Sequence, residues 1–230
     1  MKNQFQQSVN KRMRVGMRQA VFLGGTSLLL ALLLFMYASQ EETAQKTEEI
    51  LFAEEKFIFS PKVDSHYENP ANWTPSYPGT HIQKHQEVIV QGFVNIPFYD
   101  LTIDGLLHVE LDATIFSPNS QLTVGKTGTL YNDGEVILKH LHQEGLVNNN
   151  YSGKLNLHTF QADQSGRTYN LSGGEMIVTQ SFTNKGEFNN YGDCRVKFDF
   201  DNEADFNQIG DSRLFVKGKL YDRQLARVLP

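Results

Sequence analysis

The chain has 230 residues, enough for one or two domains, and its single cysteine excludes both an intrachain disulfide framework and a multi-cysteine zinc or iron–sulfur site. The first nineteen residues hold five basic residues and no acid, which leaves 16 Lys and Arg against 26 Asp and Glu in the remainder. An acidic body argues against nucleic acid as a partner, because the phosphate backbone requires a basic footprint.

The first predicted element is a hydrophobic run, residues 20–38, which reads AVFLGGTSLLLALLLFMYA without a charge. A membrane-spanning helix needs about 20 mostly apolar residues. Basic residues precede the run and Glu-rich sequence follows it, so the positive-inside rule places residues 1–19 in the cytoplasm and the rest outside. The sequence therefore predicts a single-pass membrane protein, with a transmembrane helix at 20–38 that acts as a signal anchor and an extracytoplasmic C-terminal part.

A cleaved signal peptide is the alternative for this run, since its apolar centre is short enough. Cleavage after Ala38 would place Met36 at the −3 position, and cleavage after Ser39 would place Tyr37 there; both side chains are too large for the small-residue rule. The rest of the chain leaves the cytoplasm in both interpretations. It stays attached to the membrane if residues 20–38 are an anchor, and it is secreted if they are a cleaved signal peptide. Residues 39–56 are Glu-rich and are predicted to be an acidic linker.

An internal repeat dominates the rest of the chain. The pieces GTLYN, GLVNN, GRTYN and GEFNN begin at Gly128, Gly145, Gly166 and Gly186, and Gly105 and Gly210 begin fainter copies. Strands with one buried face, Gly/Asn turns and a period near twenty residues predict a β-solenoid of about 6–7 coils over residues 57–230. After each piece comes an alternating pair that marks the next buried strand: Val136 and Leu138, Leu155 and Leu157, Met176 and Val178, Cys194 and Val196.

Each piece carries an asparagine four residues after its glycine. Alternation directs these asparagines toward the apolar side, where a buried amide requires hydrogen bonds. Stacked asparagines can bond one another from coil to coil and tolerate turn conformations. We therefore interpret them as a structural ladder, and Cys194 as a small core residue. The predicted ladder consists of Asn132, Asn149, Asn170 and Asn190.

The pattern of glycine, apolar residue and asparagine resembles the coils of single-stranded right-handed parallel β-helices in bacterial surface proteins, including haemagglutinin-type adhesins and autotransporter passengers. The segment ENPANWTPSYPG, residues 68–79, is similar to the start of β-helix modules in surface proteins of Bacteroidota-type bacteria. The resemblance implies a right-handed helix and brings no catalytic set. Solenoid ends need caps, and we expect them at 57–80, with Trp73, Tyr77 and Pro78, and at 218–230, with Leu220, Leu225 and Val228.

Two sets of side chains are candidates for binding. Tyrosine rings beside the asparagine turns could form an exposed ridge that stacks on sugar faces; they are Tyr131, Tyr151, Tyr169 and Tyr191. Acids alternate in DFDNEADF and would share one face of an extended strand, where their oxygens could hold Ca²⁺; they are Asp199, Asp201, Glu203 and Asp205. Trp73 is interpreted as a core anchor, with sugar binding as the alternative. His140 and His142 are interpreted as solvated, because no third metal ligand aligns with them.

Recognised catalytic motifs such as G-x-S-x-G, H-E-x-x-H and the P-loop are missing from the sequence, so we expect no enzyme activity, no catalytic residues and no cofactor beyond a possible Ca²⁺. The expected role is structural or adhesion-like binding at the bacterial cell envelope, with a polysaccharide or another envelope protein as partner and the membrane contacted through residues 20–38. One alternative is a carbohydrate-active β-helix lyase or hydrolase. The other is a self-assembling, bactofilin-like scaffold. The sequence leaves the oligomeric state open.

Overall fold

The computed structural model of the protein describes residues 55–222. The predicted membrane segment 20–38, its flanks up to residue 54 and the last residues, 223–230, lie outside the described residues. Within 55–222, no helix combines the length and the apolar character that crossing a membrane requires. The chain divides into two units, Met1–Leu51 and Phe52–Pro230, and every described residue belongs to the second.

The regular structure of the described residues is β-strand apart from one short 3-10 helix, which confirms the predicted all-β class. A short 3-10 helix spans Pro70–Asn72. The strands in chain order are β1 (Glu55–Phe59), β2 (Trp73–Thr74), β3 (His81–Ile82), β4 (Gln86–Val90), β5 (Phe93–Asn95), β6 (Leu101–Ile103), β7 (Leu106–Val109), β8 (Thr114–Val124), β9 (Thr129–Asn132), β10 (Glu135–Gln143), β11 (Leu146–Asn149), β12 (Lys154–Ala162), β13 (Arg167–Asn170), β14 (Glu175–Val178), β15 (Phe182–Asn184), β16 (Glu187–Asn190), β17 (Asp193–Val196), β18 (Phe200–Asn202), β19 (Asp205–Gln208), β20 (Arg213–Val216) and β21 (Leu220–Asp222).

Parallel pairing between successive turns of the chain builds a β-solenoid with three faces. The first face contains, in spatial order, β1, β4, β7, β9, β11, β13, β16 and β19. The second face runs from β5 through the first halves of β8, β10 and β12 to β14, β17 and β20. The third face runs from β3 and β6 through the second halves of the same long strands to β15, β18 and β21. Each coil crosses the three faces once, which confirms the predicted solenoid. The seven coils are coil 1 (β4 to β6), coil 2 (β7 and β8), coil 3 (β9 and β10), coil 4 (β11 and β12), coil 5 (β13 to β15), coil 6 (β16 to β18) and coil 7 (β19 to β21).

Glycines recur at the corner where the third face meets the first. Backbones of consecutive coils approach closely there: a Cβ added at Gly145 would lie 2.2 Å from the carbonyl oxygen of Gly125 and 2.3 Å from that of Gly128. Glycine avoids this clash because it has no side chain. The expectation that Gly210 begins a copy of the repeat, as the corner glycines do, is wrong. Gly210 lies in the turn between β19 and β20 with a φ of 65°. Ala204 takes the corner position of coil 7, because the next residue, Asp205, opens the first-face strand of that coil.

Inward side chains of successive coils stack into columns that form the core. On the third face, the ring of Phe182 lies 4.8 Å from that of Phe160 and 4.6 Å from that of Phe200, measured between centroids. On the first face, Phe188 and Phe206 stack at 5.1 Å. A single coil cannot bury its inner face alone, so the stability of the fold comes from contacts between neighbouring coils. The second face contributes a fully buried column: Val136, Leu155, Met176 and Cys194.

Residues 60–80 close the N-terminal end of the solenoid. Strand β2 pairs antiparallel with β1 and covers the outer edge of the first face. Trp73 is buried, its indole N–H donates to the carbonyl oxygen of Tyr67, and its ring packs edge-on against Phe59 and Tyr67. Tyr77 is partly buried against this cluster. Because β1 belongs to the first face, the solenoid begins inside the segment predicted as a linker.

The other end of the described solenoid is more open. Phe206, Leu214 and Val216 occupy inward positions of coil 7 but are only partly buried, and Leu220 is 49% exposed. Strand β21 pairs with β18, so the segment predicted as a C-terminal cap, 218–230, begins with a strand of coil 7. The rest of that segment, from residue 223, lies outside the described residues.

Candidate functional site

A run of hydrogen bonds joins the four inward asparagines that end strands β9, β11, β13 and β16. All four are fully buried. In each of the first three, Nδ2 donates at 2.8 Å to the Oδ1 of the next asparagine and also to a backbone carbonyl oxygen of the next coil. Because these amides are buried and each Nδ2 is bonded, they act structurally; in residues 55–222 only the Oδ1 of Asn132, at the start of the ladder, lacks a hydrogen-bond partner among them. The members in order are Asn132, Asn149, Asn170 and Asn190, the last of which donates to the carbonyl oxygen of Arg213.

A second, shorter ladder lies at the corner between the third and first faces. The Nδ2 of Asn184 donates to the Oδ1 of Asn202 at 2.8 Å, and the Nδ2 of Asn202 donates to Asp222 at 3.2 Å. Sequence reasoning missed this ladder. The sequence feature that marks this ladder is an asparagine two residues before the corner residue. Asn184 precedes Gly186 in this way, and Asn202 precedes Ala204.

Tyr131 and Tyr169 share an outward column of the first face. Parallel register places one residue from each of coils 2 to 6 in this column, and Tyr131 is 37% exposed. Because coils stack at about 4.8 Å, the two tyrosines lie about 9.6 Å apart along the column, with the amide of Asn148 between them. We name this set the tyrosine column; it consists of His108, Tyr131, Asn148, Tyr169 and Asn189.

The other two predicted tyrosines, Tyr151 and Tyr191, lie in turns between the first and second faces, away from the tyrosine column. These turns have four residues in coils 4, 5 and 7 but two in coil 6, where they are Tyr191 and Gly192. The short turn is recessed between its longer neighbours, which leaves an open groove of about 530 Å³ lined by residues 172–174, 191–192 and 209–211. We name it the corner groove.

Charged side chains form one wall of the corner groove. Glu175 and Asp193 occupy the same outward position in consecutive coils. The guanidinium of Arg195 donates to Glu175 at 2.6 Å, and that of Arg213 donates to Asp193 at 2.9 and 3.0 Å. The groove therefore combines an aromatic side chain, two acids and two bases that already engage one another, and a third acid, Asp211.

The four acids of the predicted calcium site are divided by a corner of the solenoid. Asp201 belongs to β18 on the third face, and Asp205 begins β19 on the first face. Asp199 lies in the turn before β18, where its Oδ1 accepts the backbone N–H of Lys219 at 3.0 Å. The expectation that Asp199, Asp201, Glu203 and Asp205 share one face is therefore wrong, because the chain bends at Glu203 and Ala204.

Histidine–aspartate pairs recur between consecutive coils. The Nε2 of the histidine lies 2.7 to 3.0 Å from the Oδ2 of an aspartate 21 to 25 residues later. Each pair connects a strand to a turn of the next coil, so it ties neighbouring coils together at the surface. The three pairs are His81 with Asp104, His108 with Asp133, and His142 with Asp163.

A third potential metal ligand joins one of these pairs. The ligand atoms of His142, Glu144 and Asp163 all lie within 4.8 Å of one another, and in residues 55–222 no other three His, Cys, Asp or Glu side chains do so. The hydrogen bond with His142 holds the pKa of Asp163 below its usual range. His140 is engaged elsewhere, since its Nδ1 lies 2.6 Å from the hydroxyl of Thr159. Asp163 thus supplies the third ligand that the sequence interpretation did not find.

Two remaining candidates lie inside the protein. Trp73 is 4% exposed and belongs to the N-terminal cap, so its ring is not available to a sugar. Cys194 is fully buried, and burial raises the pKa of its thiol to about 12. A buried protonated thiol is a poor nucleophile, which leaves Cys194 as a core residue.

The fold and these surfaces define a β-solenoid protein with a closed N-terminal end, an outward tyrosine column and a corner groove. No protein-family model matches the sequence, and no curated protein or solved structure matches it significantly.

Proposed function

We propose that this chain is a carbohydrate-binding rod of the bacterial cell envelope, and that the tyrosine column is its binding surface. In this proposal residues 20–38 form a transmembrane anchor and the solenoid, wound right-handed, stands outside the cytoplasm. The five basic residues among the first nineteen, which precede the apolar run, support this orientation. Release as a secreted protein after cleavage is the alternative for the anchor.

The tyrosine column is the observation that carries the proposal. Parallel register holds Tyr131, Asn148 and Tyr169 in consecutive coils of one face. Tyrosine rings offer a large apolar contact with a polar tip, and amides both donate and accept hydrogen bonds. A separation of about 9.6 Å between the tyrosines suits a ligand that repeats at the length of a disaccharide. A polysaccharide lying along the rod axis meets these groups without a deep pocket.

Glycan-array binding of the purified full-length chain tests this proposal. We expect saturable binding, and we expect the double variant Tyr131→Ala/Tyr169→Ala to lose roughly 1–3 kcal/mol of binding free energy, since an aromatic contact contributes about 0.5–1.5 kcal/mol per ring. Phe98→Ala is the matched control, because this ring is 86% exposed but lies in the turn between β5 and β6. Equal loss in both variants, or no binding to any glycan, contradicts the proposal and favours an envelope protein as partner.

The anchor is tested separately by fractionation. Full-length chain is expected in the membrane fraction and resistant to alkaline extraction, whereas a chain that lacks residues 1–38 is expected in the soluble fraction. Recovery of a shortened chain from the culture medium, with an N-terminus near residue 39, would instead support cleavage and secretion.

A carbohydrate-active enzyme is the second candidate, and the corner groove is the observation that favours it. Glu175 and Asp193 face the groove from consecutive coils beside Arg195 and Arg213. A glycosidase needs two carboxylates at a set separation. Release of reducing ends or unsaturated sugars from a polysaccharide panel tests this candidate. Activity that disappears in Glu175→Gln and Asp193→Asn would support it, and an inactive wild type would leave binding as the function.

End-to-end stacking into a scaffold has less support. Continuous stacking requires that both ends of the solenoid present free strand edges. Strand β2 pairs antiparallel over β1, and the ring of Trp73 lies against Phe59 beneath it. This cap leaves the C-terminal end as the more open one in residues 55–222. Polymers seen by electron microscopy of the purified chain would restore the scaffold as a candidate.

A further inference from the structure

Two acids are stacked at the corner between the third and first faces. Strands β10 and β12 pair in register up to Gln143 opposite Ala162, and the next residues along are Glu144 and Asp163. The backbone N–H of Asp163 donates to the carbonyl oxygen of Gln143 at 2.8 Å, which continues the register into the turn. Like charges directly opposite one another on neighbouring strands destabilise the pair. This corner therefore favours a positive charge between the two carboxylates.

The imidazole of His142 is the third group at this corner. Its Nε2 lies 3.0 Å from Asp163 Oδ2, and alternation places it on the same outward side as Glu144. A neutral imidazole with two carboxylates carries a net charge of about −2, which a divalent ion neutralises. The charges of His142, when protonated, and of Lys185 both act on Asp163 here.

The backbone that carries these side chains is held rigidly. Gln143, between His142 and Glu144, is fully buried, and its Nε2 donates to the carbonyl oxygens of Gly145 and Arg167. Its Oε1 accepts the hydroxyl proton of Thr168 at 2.6 Å. Ion binding at this corner therefore orders little backbone, which lowers its entropic cost.

We propose that His142, Glu144 and Asp163 form a binding site for a divalent transition-metal ion that joins coils 3 and 4. Their ligand atoms lie within 4.8 Å of one another, and ligands around a tetrahedral zinc ion lie roughly 3.3 Å apart when each bond is about 2.0–2.1 Å. Small side-chain rotations are enough to bring the ligand atoms from these distances to those of a zinc site. One imidazole and two carboxylates suit Zn²⁺, Ni²⁺ or Cu²⁺, whereas Ca²⁺ and Mg²⁺ prefer oxygen ligands alone.

The other histidine–aspartate pairs provide an internal comparison. His108 and Asp133 have the same Nε2 to Oδ2 contact, at 2.8 Å, without a third ligand in the described part of the chain. Their side chains are about as exposed as those of His142 and Asp163. If a histidine–aspartate pair alone were sufficient, both corners would bind the ion equally.

Zn²⁺ titration of the purified, metal-free full-length chain tests the proposal, by calorimetry and by thermal unfolding. We expect one Zn²⁺ per chain and a higher Tm with Zn²⁺ than without it. His142→Ala and Glu144→Gln are expected to weaken Zn²⁺ binding at least roughly tenfold, because a lost ligand costs no less than a lost outer-shell partner. His108→Ala is expected to keep wild-type affinity. Glu144→Gln preserves the shape of the side chain and guards against a folding defect.

Three outcomes would overturn the proposal. The first is wild-type protein that shows neither heat of binding nor a Tm shift with Zn²⁺. The second is an equal loss of affinity in His108→Ala and His142→Ala, which would indicate nonspecific binding at histidines. The third is tighter binding of Ca²⁺ than of Zn²⁺, which would contradict the choice of a nitrogen-containing ligand set.

Discussion

Asn149 and Asn170 occupy the same inward position in consecutive coils, and the Nδ2 of Asn149 donates to the Oδ1 of Asn170 at 2.8 Å. The Oδ1 of Asn149 accepts from Asn132 in the coil before, so one side chain links three coils. The partners in this ladder are 17 to 21 residues apart in sequence. Neighbouring coils are therefore held together by polar side chains as well as by the backbone and the apolar core.

Replacing Asn149 by alanine is expected to destabilise the protein by about 2–4 kcal/mol. The change leaves the buried Oδ1 of Asn170 without its donor and the Nδ2 of Asn132 with only the carbonyl oxygen of Lys154, and an unsatisfied buried group costs about 1–3 kcal/mol. Urea unfolding measures the effect. Asn148→Ala is the matched control, because this neighbour points outward on the same strand and is expected to change stability by less than about 0.5 kcal/mol. Equal effects in the two variants would mean that the ladder does not stabilise the fold.

Gly145→Ala is expected to cost about 1–3 kcal/mol, the usual cost of overpacking. Its new Cβ would meet the carbonyl oxygens of Gly125 and Gly128 at 2.2 and 2.3 Å, so the corner has to shift. Thermal unfolding checks this, with Gln164→Ala at an exposed position of the same corner as the control. A Tm for Gly145→Ala that matches the control would show that the corner yields without cost.

The class of fold could be predicted because successive coils repeat the same pattern of residue types. Alternation marks the strands, the corner glycines mark close backbone approach, and the asparagine at the end of β9, β11, β13 and β16 marks the next bend. Gly210 could not be placed correctly, because a glycine in an open turn looks the same in sequence as a glycine at the crowded corner. The register of coil 7 is fixed by the pairing of Asp205 with Glu187 on the neighbouring strand, which the sequence alone does not show.

The candidate sites were harder to predict because turn lengths vary between coils. Tyr191 follows the ladder asparagine Asn190 and therefore lies in the turn, off the line of Tyr131 and Tyr169, and the two-residue length of this turn leaves the corner groove. His142 and Asp163 meet across 21 residues, a distance set by the length of one coil rather than by a local motif. A search of the sequence for ligand residues about one coil length apart, instead of a few residues apart, would have paired His142 with Asp163.

Acid is expected to loosen the N-terminal cap through Asp64. Its carboxylate accepts hydrogen bonds from the backbone N–H of His66 and the amides of Asn69 and Asn72, which lower its pKa from 3.8 to about 2. Because the folded pKa is depressed, this stabilisation is present above about pH 3.8 and is lost as the pH falls through about 2.

Fluorescence of Trp73, the single tryptophan of the chain, reports the state of this cap. Wild-type protein is expected to change emission between pH 4 and 2, the range set by the two pKa values of Asp64. Asp64→Asn cannot titrate and is expected to show a smaller change in this range. Identical titration curves would assign the transition to other carboxylates.

The thiol of Cys194 is expected to resist modification in the native protein. Burial raises its pKa to about 12, so the reactive thiolate is scarce and shielded at neutral pH. Labelling with a thiol reagent is expected to be complete only after denaturation. Ser152→Cys places a thiol in an exposed turn and serves as the positive control for the reagent. Rapid labelling of native wild type would show that the second face opens.

The cap around Trp73 also gives the molecule a direction of assembly. The N-terminal end of a chain leaves the ribosome first, and domains fold as their residues emerge. The sealed end can therefore form early and present the edges of β1 on the first face and β3 on the third face to coil 1. Every later coil then needs only its immediate predecessor as a template, so growth from the sealed end extends the solenoid one coil at a time.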